Sequence, residues 1–223
     1  DEALRQVAAT FGILPARRST YAATGTMHFP AGTSAPVTLT HKGRADQAIA
    51  MIAWPTHGAY RDLHDTRVLN VLGAVFQLRL TERIRETEGI SYSPVAAHDA
   101  SNVWDDYGYL YGRVEAPPAT LPKFLTEAQG IADDLQSKPV TADELNRALK
   151  PLVERLERER NGNGWWLGQI PGIATRPRVL DAITTQLAEY RGITPAMLQG
   201  GAKRYLRPAT AYKLVVVPEK PAP

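Results

Sequence analysis

An arginine and a tyrosine separated by six residues, Arg85 and Tyr92, are the most informative pair in this sequence. The segment around them has the pattern of a long amphipathic helix, a glycine stop at Gly89, and a strand that opens with an aromatic hydroxyl. The two side chains are therefore expected to flank one helix-to-strand turn. A guanidinium stays protonated and a phenol stays neutral near pH 7, so both groups donate hydrogen bonds without titrating. Such a pair can hold a peptide carbonyl or an oxyanion, but it supplies no general base.

A purely structural interpretation of the same two residues is also open. Arg85, in a last helical turn, would interact favourably with the helix dipole. Tyr92, at the start of a strand, would simply pack against its neighbours. Residue types and spacing alone do not decide between the two roles.

No independent catalytic centre is visible elsewhere in the sequence. None of the five histidines falls in a His-Glu-x-x-His motif or in its inverted form, so no zinc site is predicted. The chain has no cysteine, no Gly-x-Ser-x-Gly elbow and no phosphate-binding loop. Asn161 to Gly164 has suitable residues for an anion nest, but it follows a helix, which favours a flexible link.

Two histidine neighbourhoods admit more than one interpretation. His64 and Asp65 lie near a predicted helix start, where we interpret them as capping and surface groups. His98 could form a carboxylate–imidazole site with Asp99 and with Asp105 or Asp106 through folding, although roles without any chemistry are the favoured interpretation.

The composition is that of an ordinary globular chain with one sizeable core. Of its 223 residues, 43% are hydrophobic, and 26 basic against 23 acidic residues give a net charge of +3. So small a surplus gives no support for nucleic-acid binding. No apolar run approaches the roughly 20 residues of a membrane span.

The sequence opens at Asp1 with a polar helical pattern rather than with the pattern of a signal peptide. A helix that begins at once, with no preceding loop, is expected of a piece cut from a longer chain.

The elements expected from periodicity and turn signals define an α+β fold, a mainly antiparallel mixed sheet with helices packed on one face. Helices are predicted at Glu2–Phe11, Arg61–Glu86, Leu121–Gln136, from Thr141 onward, Arg178–Tyr190 and Pro195–Tyr205. Strands are predicted at Pro36–Lys42, Gln47–Trp54, Ser91–His98, Asp106–Glu115 and Tyr212–Val217. The first two strands, joined by Gly43 to Asp46, have the spacing of a hairpin. In the fourth, Tyr107, Tyr109 and Tyr111 share one face, and Gly108 and Gly112 on the other face indicate a close approach by another group.

The segment Arg-Glu-x-x-Gly-Ile-Ser-Tyr-Ser at residues 85–93 resembles the Arg…Gly-x-x-Tyr segment in the C-terminal, non-zinc halves of insulinase/pitrilysin-type peptidases and mitochondrial-processing-peptidase-like proteins. Further segments resemble that family in the same order along the chain: Thr10 to Pro15, Gln47–Trp54 after Gly43 to Asp46, the long helix, Thr141 to Glu144, Trp165-Trp166, Ala202 to Leu206 and Val215 to Pro218.

This resemblance implies a division of labour between two homologous halves that enclose a chamber. The zinc and its His-x-x-Glu-His site belong to the other half, so no metal or cofactor is expected in this chain. The roles carried over are those of Arg85 and Tyr92, which would hold the substrate backbone and help stabilise the oxyanion. The expected partners are the zinc-bearing half and a peptide substrate, in a periplasmic or otherwise exported protein.

The same resemblance suggests that residues 1–18 are a helix and linker from the preceding part of the parent chain, and that residues 19–223 form one domain.

Two other functions remain open. Similar halves also occur as structural or assembly subunits without peptidase activity. Alternatively, the sheet edge and tyrosine row would bind an extended peptide by strand addition.

Overall fold

The computed structural model describes residues 1–15, 26–88, 94–176 and 178–219, apart from the side chains of residues 85–88, 171, 174 and 175. The helices are α1 (Glu2–Thr10), α2 (Leu63–Glu88), α3 (Leu121–Ser137), α4 (Ala142–Arg160), α5 (Asn163–Thr175), α6 (Arg178–Arg191) and α7 (Pro195–Tyr205). The strands are β1 (Val37–His41), β2 (Ala48–Thr56), β3 (Val95–Ala100), β4 (Gly108–Ala116) and β5 (Tyr212–Pro218).

The five strands form one mixed sheet in the order β1-β5-β2-β4-β3. Only the β1–β5 pair is parallel; β5 with β2, β2 with β4, and β4 with β3 are antiparallel. Buried residues alternate along β2 and β4, and α2, α3 and α7 pack on the face to which those residues point. The predicted α+β class, with helices on one face of a mainly antiparallel sheet, is confirmed.

The predicted hairpin between β1 and β2 is wrong, because β5 lies between these strands. Leu214 pairs with Val37 of β1 on one side and with Met51 of β2 on the other. The run Leu214 to Val217 is apolar on both faces, as suits an interior strand, whereas β1 alternates with threonine and is largely exposed, as suits an edge. The local turn signal gave no information about this distant partner.

Helix α2 forms the centre of the core. Its buried hydrophobic side chains are Val68, Leu69, Val71, Leu72, Val75, Phe76, Leu80 and Ile84. A Cβ atom on Gly112 of β4 would lie 3.1 Å from Cε1 of Phe76 and 3.4 Å from Cδ2 of Leu80. The close approach predicted for the glycine face of β4 is therefore confirmed, and it lets α2 pack directly on the sheet.

The other face of the sheet carries the tyrosine row. Tyr107, Tyr109 and Tyr111 are half buried, and successive rings lie 6.1 and 5.6 Å apart. Phe29 covers them, with its ring centroid 5.3 Å from that of Tyr109 and 6.1 Å from that of Tyr212. These rings pack on one another and leave part of each edge exposed.

Local capping signals correctly place two helix starts. The hydroxyl of Thr141 accepts a hydrogen bond from the Glu144 N–H at the start of α4, and Thr194 accepts one from Met197 N–H at the start of α7. Every residue of helix α1 is exposed; Leu4 within it and Phe11 just after it are each 72% exposed.

Candidate active-site half

Arg85 belongs to the last turn of α2, as predicted, although the helix ends at Glu88 rather than at Glu86. The side chain of Arg85 and the whole of Tyr92 lie outside the described residues. The next strand, β3, begins at Val95. The pairing of Arg85 with Tyr92 therefore stays a prediction, and the structure describes the elements on either side of it.

Ion pairs tie the C-terminal half of α2 to α3 and α4. Arg79 holds Glu144 in two hydrogen bonds, Nε to Oε1 at 2.6 Å and Nη2 to Oε2 at 3.0 Å. The bonds from Glu144 raise the pKa of Arg79, even though burial opposes the charge. Arg83 pairs with Asp134 and, at 3.4 Å, with Glu127 of α3. The helix end that carries Arg85 is thus fixed on two sides.

A glutamine of α2 holds the start of β3. Nε2 of Gln77 donates to the carbonyl oxygen of Pro94 at 2.9 Å, and Oε1 accepts from the Ala96 N–H. Nε2 also donates to the hydroxyl of Thr81 at 2.8 Å. The helix and the returning strand are therefore joined by side chain–backbone bonds next to the connection that carries Tyr92.

A cavity of about 530 Å³ opens between α2, β3 and α4. Its walls include Leu78 and Ala97 on one side and Pro151 and Leu152 on the other, and Arg147 and Arg155 also line it. Arg147 pairs with Glu82 at 2.7 Å. An apolar pocket with charged groups in its lining is a general ligand-binding architecture, here close to the C-terminal part of α2.

His98 belongs to a polar network inside this region, and not to a carboxylate site. Its Nδ1 lies 2.8 Å from Oδ1 of Asn70, and its Nε2 lies 3.1 Å from the Thr56 hydroxyl. An amide oxygen only accepts, so Nδ1 carries the proton and Nε2 accepts from Thr56. Burial, with a smaller contribution from the charge of His57, lowers the pKa of His98 to about 4.

The grouping of His98 with aspartates, which the sequence made the less favoured interpretation, is therefore wrong. Strand alternation turns His98 towards the helices and Asp99 towards the open face, where Tyr109 donates to it at 3.4 Å. Asp106 pairs instead with Arg61.

His57 and Asp65 form a second cluster, largely buried, at the opposite end of α2. Nδ1 of His57 lies 2.9 Å from the Gly58 carbonyl oxygen, and Nε2 lies 3.0 Å from Oδ2 of Asp65. Tyr205 donates to the same carboxylate oxygen at 2.5 Å, and Arg204 lies 3.3 Å from it. The interpretation of Asp65 as a surface group is wrong, because its side chain is only 13% exposed.

The charges of this cluster follow from its geometry. Burial alone lowers the pKa of His57, but the bonds to Asp65 and Gly58 outweigh it and raise the pKa above its usual value. Burial raises the pKa of Asp65, but bonds from His57 and Tyr205 outweigh it and lower the pKa to about 2. Both neighbours of the imidazole are acceptors, so both ring nitrogens donate. With both ring nitrogens donating, His57 has no lone pair free for a proton or a metal, and the geometry is that of a cluster that stabilises structure.

A family model described as "Peptidase M16 inactive domain" matches residues 1–152, which is more than half of the chain. The chain belongs to this family. Within it, the inactive domain lacks a zinc site, and the zinc belongs to the other half. Among the described residues of this M16 inactive domain, no group of three or more His, Cys, Asp or Glu side chains is placed to hold a metal ion.

Individual relatives agree with this assignment. The chloroplastic stromal processing peptidase of Oryza sativa subsp. indica is 29% identical over 105 residues, which are 45% of this chain and 8% of that protein. The periplasmic protease PqqL of Escherichia coli has a TM-score of 0.76 at 16% identity, over 98% of this chain and 24% of that one. A peptidase M16 inactive domain from Pseudomonas fluorescens has a TM-score of 0.67 at 15% identity, over 88% and 47%. The two structural likenesses show the fold, and this chain spans only part of each relative.

Among the helices in the described part of this M16 domain, none has both the length and the apolar character that a membrane span requires.

The residues of the site region that the sequence does not reveal are those whose partners are distant along the chain. Asp65 and Tyr205 are 140 positions apart, and no local pattern links them. Gln77 gave no signal either, because a glutamine on a helix resembles an ordinary half-exposed residue.

Proposed function

We propose that this chain is the non-zinc half of a zinc endopeptidase, in which Arg85 and Tyr92 hold the backbone of a peptide substrate. The observation that carries the proposal is the position of Arg85. It lies in the last turn of α2, in a chain that belongs to the M16 inactive-domain family, and Tyr92 lies in the connection that follows. The zinc and its activated water would be supplied by the other half of the parent protein.

The described surroundings are suited to such a site. Hydrogen-bond donors that stabilise a developing negative charge must be held in place before the reaction. If they had to move into place during it, the free energy of that rearrangement would offset the stabilisation they provide. Pairs from Arg79 and Arg83 fix the helix end, and Gln77 fixes the returning strand. The cavity next to Leu78 and Arg147 would lie within the same enclosed space as the substrate.

The same proposal includes a partner, a substrate and a location for the parent protein. The partner would be a homologous zinc-bearing half, either in the same chain or in a separate subunit, and the substrate would be an unfolded peptide. Residues 1–18 would belong with the preceding part of the parent, which accords with the absence of any buried residue in α1. A periplasmic or otherwise exported location accords with the likeness to PqqL.

The test compares variants of the complete enzyme, assembled from this chain and its zinc-bearing half. Arg85→Ala and Tyr92→Phe are each expected to lower kcat/KM by roughly ten- to a thousand-fold, the range for loss of one oxyanion donor. Zinc content should not change. Matched controls are Arg191→Ala, which breaks an exposed pair with Glu157, and Tyr107→Phe, on the open face of the sheet.

Wild-type turnover in both site variants would refute the assigned roles. An assembled parent without peptidase activity, together with a broken zinc motif in its other half, would instead identify this chain as part of a structural or assembly subunit.

A second candidate function is peptide binding by strand addition at the β1 edge. No described strand pairs with the outer side of β1, whose residues Val37 to Thr40 are exposed. A cavity of about 540 Å³ lies nearby, lined by Pro36 and by Leu125 and Gln129 of α3. Extended peptides bind other proteins in such grooves between an edge strand and a helix. Peptide affinity of this chain that is lost in Leu39→Pro but unaffected by Arg85→Ala would favour this function.

A further inference from the structure

The cavity between α2, β3 and α4 has an apolar wall and two polar ends. Its wall is formed by small and branched apolar side chains, which are Ala74, Leu78, Ala97, Ala148 and Leu152. A sphere with the cavity volume of about 530 Å³ is about 10 Å across, which matches two or three extended residues at about 3.5 Å each. All of these residues belong to the described part of the chain, and none lies in the connection between Arg85 and Tyr92.

The inner end of the cavity has two unused hydrogen-bond donors. Thr56 donates to His98, and His98 donates to Oδ1 of Asn70 at 2.8 Å. Nδ2 of Asn70 then donates to the Tyr190 hydroxyl at 2.9 Å. Tyr190 is only 7% exposed, and its own hydroxyl hydrogen has no acceptor in the described chain, nor has the second amide hydrogen of Asn70. Since buried donors are nearly always paired, these two indicate that an oxygen atom of a ligand or of solvent binds here.

Two arginines of α4, Arg147 and Arg155, line the outer end of the cavity, and their side chains are 49% and 63% exposed. Arg147 bonds to Glu82 at 2.7 Å. Arg155 has only the carboxylate of Glu159 nearby, at 3.8 Å, so its donors make no hydrogen bond within the described residues. A guanidinium with free donors can bind a carboxylate in two parallel hydrogen bonds. This end of the cavity therefore favours an acidic group.

The backbone of α4 adds an acceptor to the same wall. Pro151 lies inside this helix and has no N–H. The carbonyl oxygen of Arg147 therefore lacks the bond that residue 151 would donate in a regular helix. Both residues line the cavity, so an N–H group of a ligand can be paired there.

The end of a peptide has all the groups that these positions require. It offers a carbonyl oxygen to Tyr190, an amide N–H to the Arg147 carbonyl, a terminal carboxylate to Arg155 and apolar side chains to the wall. A long-chain carboxylic acid has the carboxylate and the apolar body, but it has no N–H and no second acceptor. The polar groups of the cavity therefore fit a peptide better than an aliphatic acid.

We propose that this cavity binds the last two or three residues of a peptide with a free, apolar C-terminus. Arg155 holds the terminal carboxylate, and Tyr190 donates to a backbone carbonyl oxygen. The inference goes beyond the function proposed above, because it needs neither Arg85 nor Tyr92. If the chain does serve a peptidase, each cleavage creates such a peptide end, and the cavity would bind that product.

The experiment measures binding of the tetrapeptide Gly-Gly-Leu-Phe to the full 223-residue chain by isothermal titration calorimetry. The matched ligand is the same peptide with a C-terminal amide. The free acid is expected to bind about ten-fold more tightly, because it adds hydrogen bonds to a charged group. Arg155→Gln should weaken binding of the acid about ten-fold and leave the amide unchanged. The control is Arg158→Gln, an exposed arginine of the same helix that does not line the cavity, and it should change neither.

Two further variants place the peptide inside the cavity. Ala74→Leu fills the cavity from α2 without changing a charge, and it should weaken binding of both peptides at least about ten-fold. Tyr190→Phe removes the inner donor and should weaken both about two- to ten-fold. Asn70 and Tyr190 also line a smaller cavity of about 160 Å³, but Ala74 does not, so a loss in Ala74→Leu assigns binding to the larger cavity. If Tyr190→Phe does not fold, Ala74→Leu and Arg155→Gln, checked by circular dichroism, still decide the test.

Several results would overturn the proposal. They are the absence of saturable binding up to about 1 mM peptide, equal affinities of the wild-type chain for the acid and the amide, and unchanged affinity in Ala74→Leu. Decanoate provides the remaining comparison. If it binds more tightly than the tetrapeptide acid and is displaced by Ala74→Leu, the cavity is a site for aliphatic acids and the peptide assignment is wrong.

The outcome is separate from that of the proposed function. Peptide binding with the expected pattern, together with wild-type turnover in Arg85→Ala and Tyr92→Phe, means that only the proposed function has failed. Strong losses of turnover in those two variants, with no peptide binding at the cavity, mean that only this inference has failed.

Discussion

His57 donates to Asp65 across 3.0 Å, and this ion pair joins the end of β2 to the first turn of α2. Tyr205, from the end of α7, donates to the same carboxylate and has its own pKa raised to about 12, chiefly by burial and secondly by that bond. The end of β2, the start of α2 and, from a distant part of the sequence, the end of α7 therefore meet at one carboxylate. Helix α2 is fixed by this cluster at its start and by the arginine pairs of its C-terminal half.

Asp65→Asn should strongly destabilise the fold, because it removes the counter-charge of a largely buried imidazolium. We expect the free energy of unfolding to fall by roughly 3 kcal/mol, measured by urea denaturation at pH 7. The control is Asp106→Asn, which breaks an exposed pair with Arg61 and should cost less than about 1 kcal/mol. Similar losses in the two variants would contradict the assigned difference in burial.

Acid should destabilise the protein between pH 6.5 and 4 because of His98. Its pKa is about 4 in the folded chain against an ordinary value of 6.5, so only the unfolded state takes up the proton in this range. Stability is lost as the pH falls through the unfolded pKa, by up to about 3 kcal/mol at pH 4. His98→Gln should flatten the curve of unfolding free energy against pH in this range, and an unchanged slope would show that another group causes it.

His57 contributes with the opposite sign at higher pH. Its folded pKa is raised, so its stabilisation is complete below pH 6.5 and is lost as the pH rises through the folded value. In a urea series from pH 6.5 to 9, wild type should lose stability while His57→Gln shows a smaller decline. A decline of equal size in both proteins would count against the charged state assigned to His57.

Gly112→Ala should be costly because the new methyl group meets Phe76 and Leu80 at 3.1 and 3.4 Å. Overpacking of this kind lowers the free energy of unfolding by about 1–3 kcal/mol. The matched control is Gly164→Ala in the first turn of α5, where no atom lies within 4 Å of the added Cβ. That substitution should be neutral or stabilising by up to about 1 kcal/mol, and chemical denaturation of both variants checks the contrast.

The coupling between Arg79 and Glu144 should exceed that between Arg147 and Glu82. The first pair has side chains that are 20% and 17% exposed and makes two bonds, whereas the second pair is about half exposed. Double-mutant cycles in urea should give about 1–3 kcal/mol for the first and a clearly smaller coupling for the second, which solvent screens. Equal coupling energies would mean that burial has no role in anchoring this end of α2.

The features predicted correctly from sequence were those encoded locally. The apolar stripe from Leu69 to Ile84 predicts α2, and Thr141 and Thr194 predict helix starts, because capping and periodicity depend on neighbours within one or two turns. The alternation in β4 likewise predicts which face admits Phe76.

What the sequence did not show depends on contacts between distant segments. A hairpin was predicted at Gly43 to Asp46 because nothing local reveals β5 as the partner of both flanking strands. The cluster of His57 and Asp65 with Tyr205 is hidden for the same reason, because Tyr205 is 140 positions from Asp65. The spacing of Arg85 and Tyr92 indicates a possible pair, a family resemblance gives the pair its functional role, and its geometry stays a prediction.

The place of β5 between β1 and β2 constrains the order in which the chain can assemble. Residues 37–41 leave the ribosome some 170 residues before their partner at 212–218, so β1 has no ladder to join until synthesis of this region is nearly complete. The antiparallel β2–β4–β3 unit and α2 can form much earlier. The first strand of the sheet is thus the last to be paired, and loss of residues 212–218 would leave β1 unpaired as well, removing two strands with one truncation.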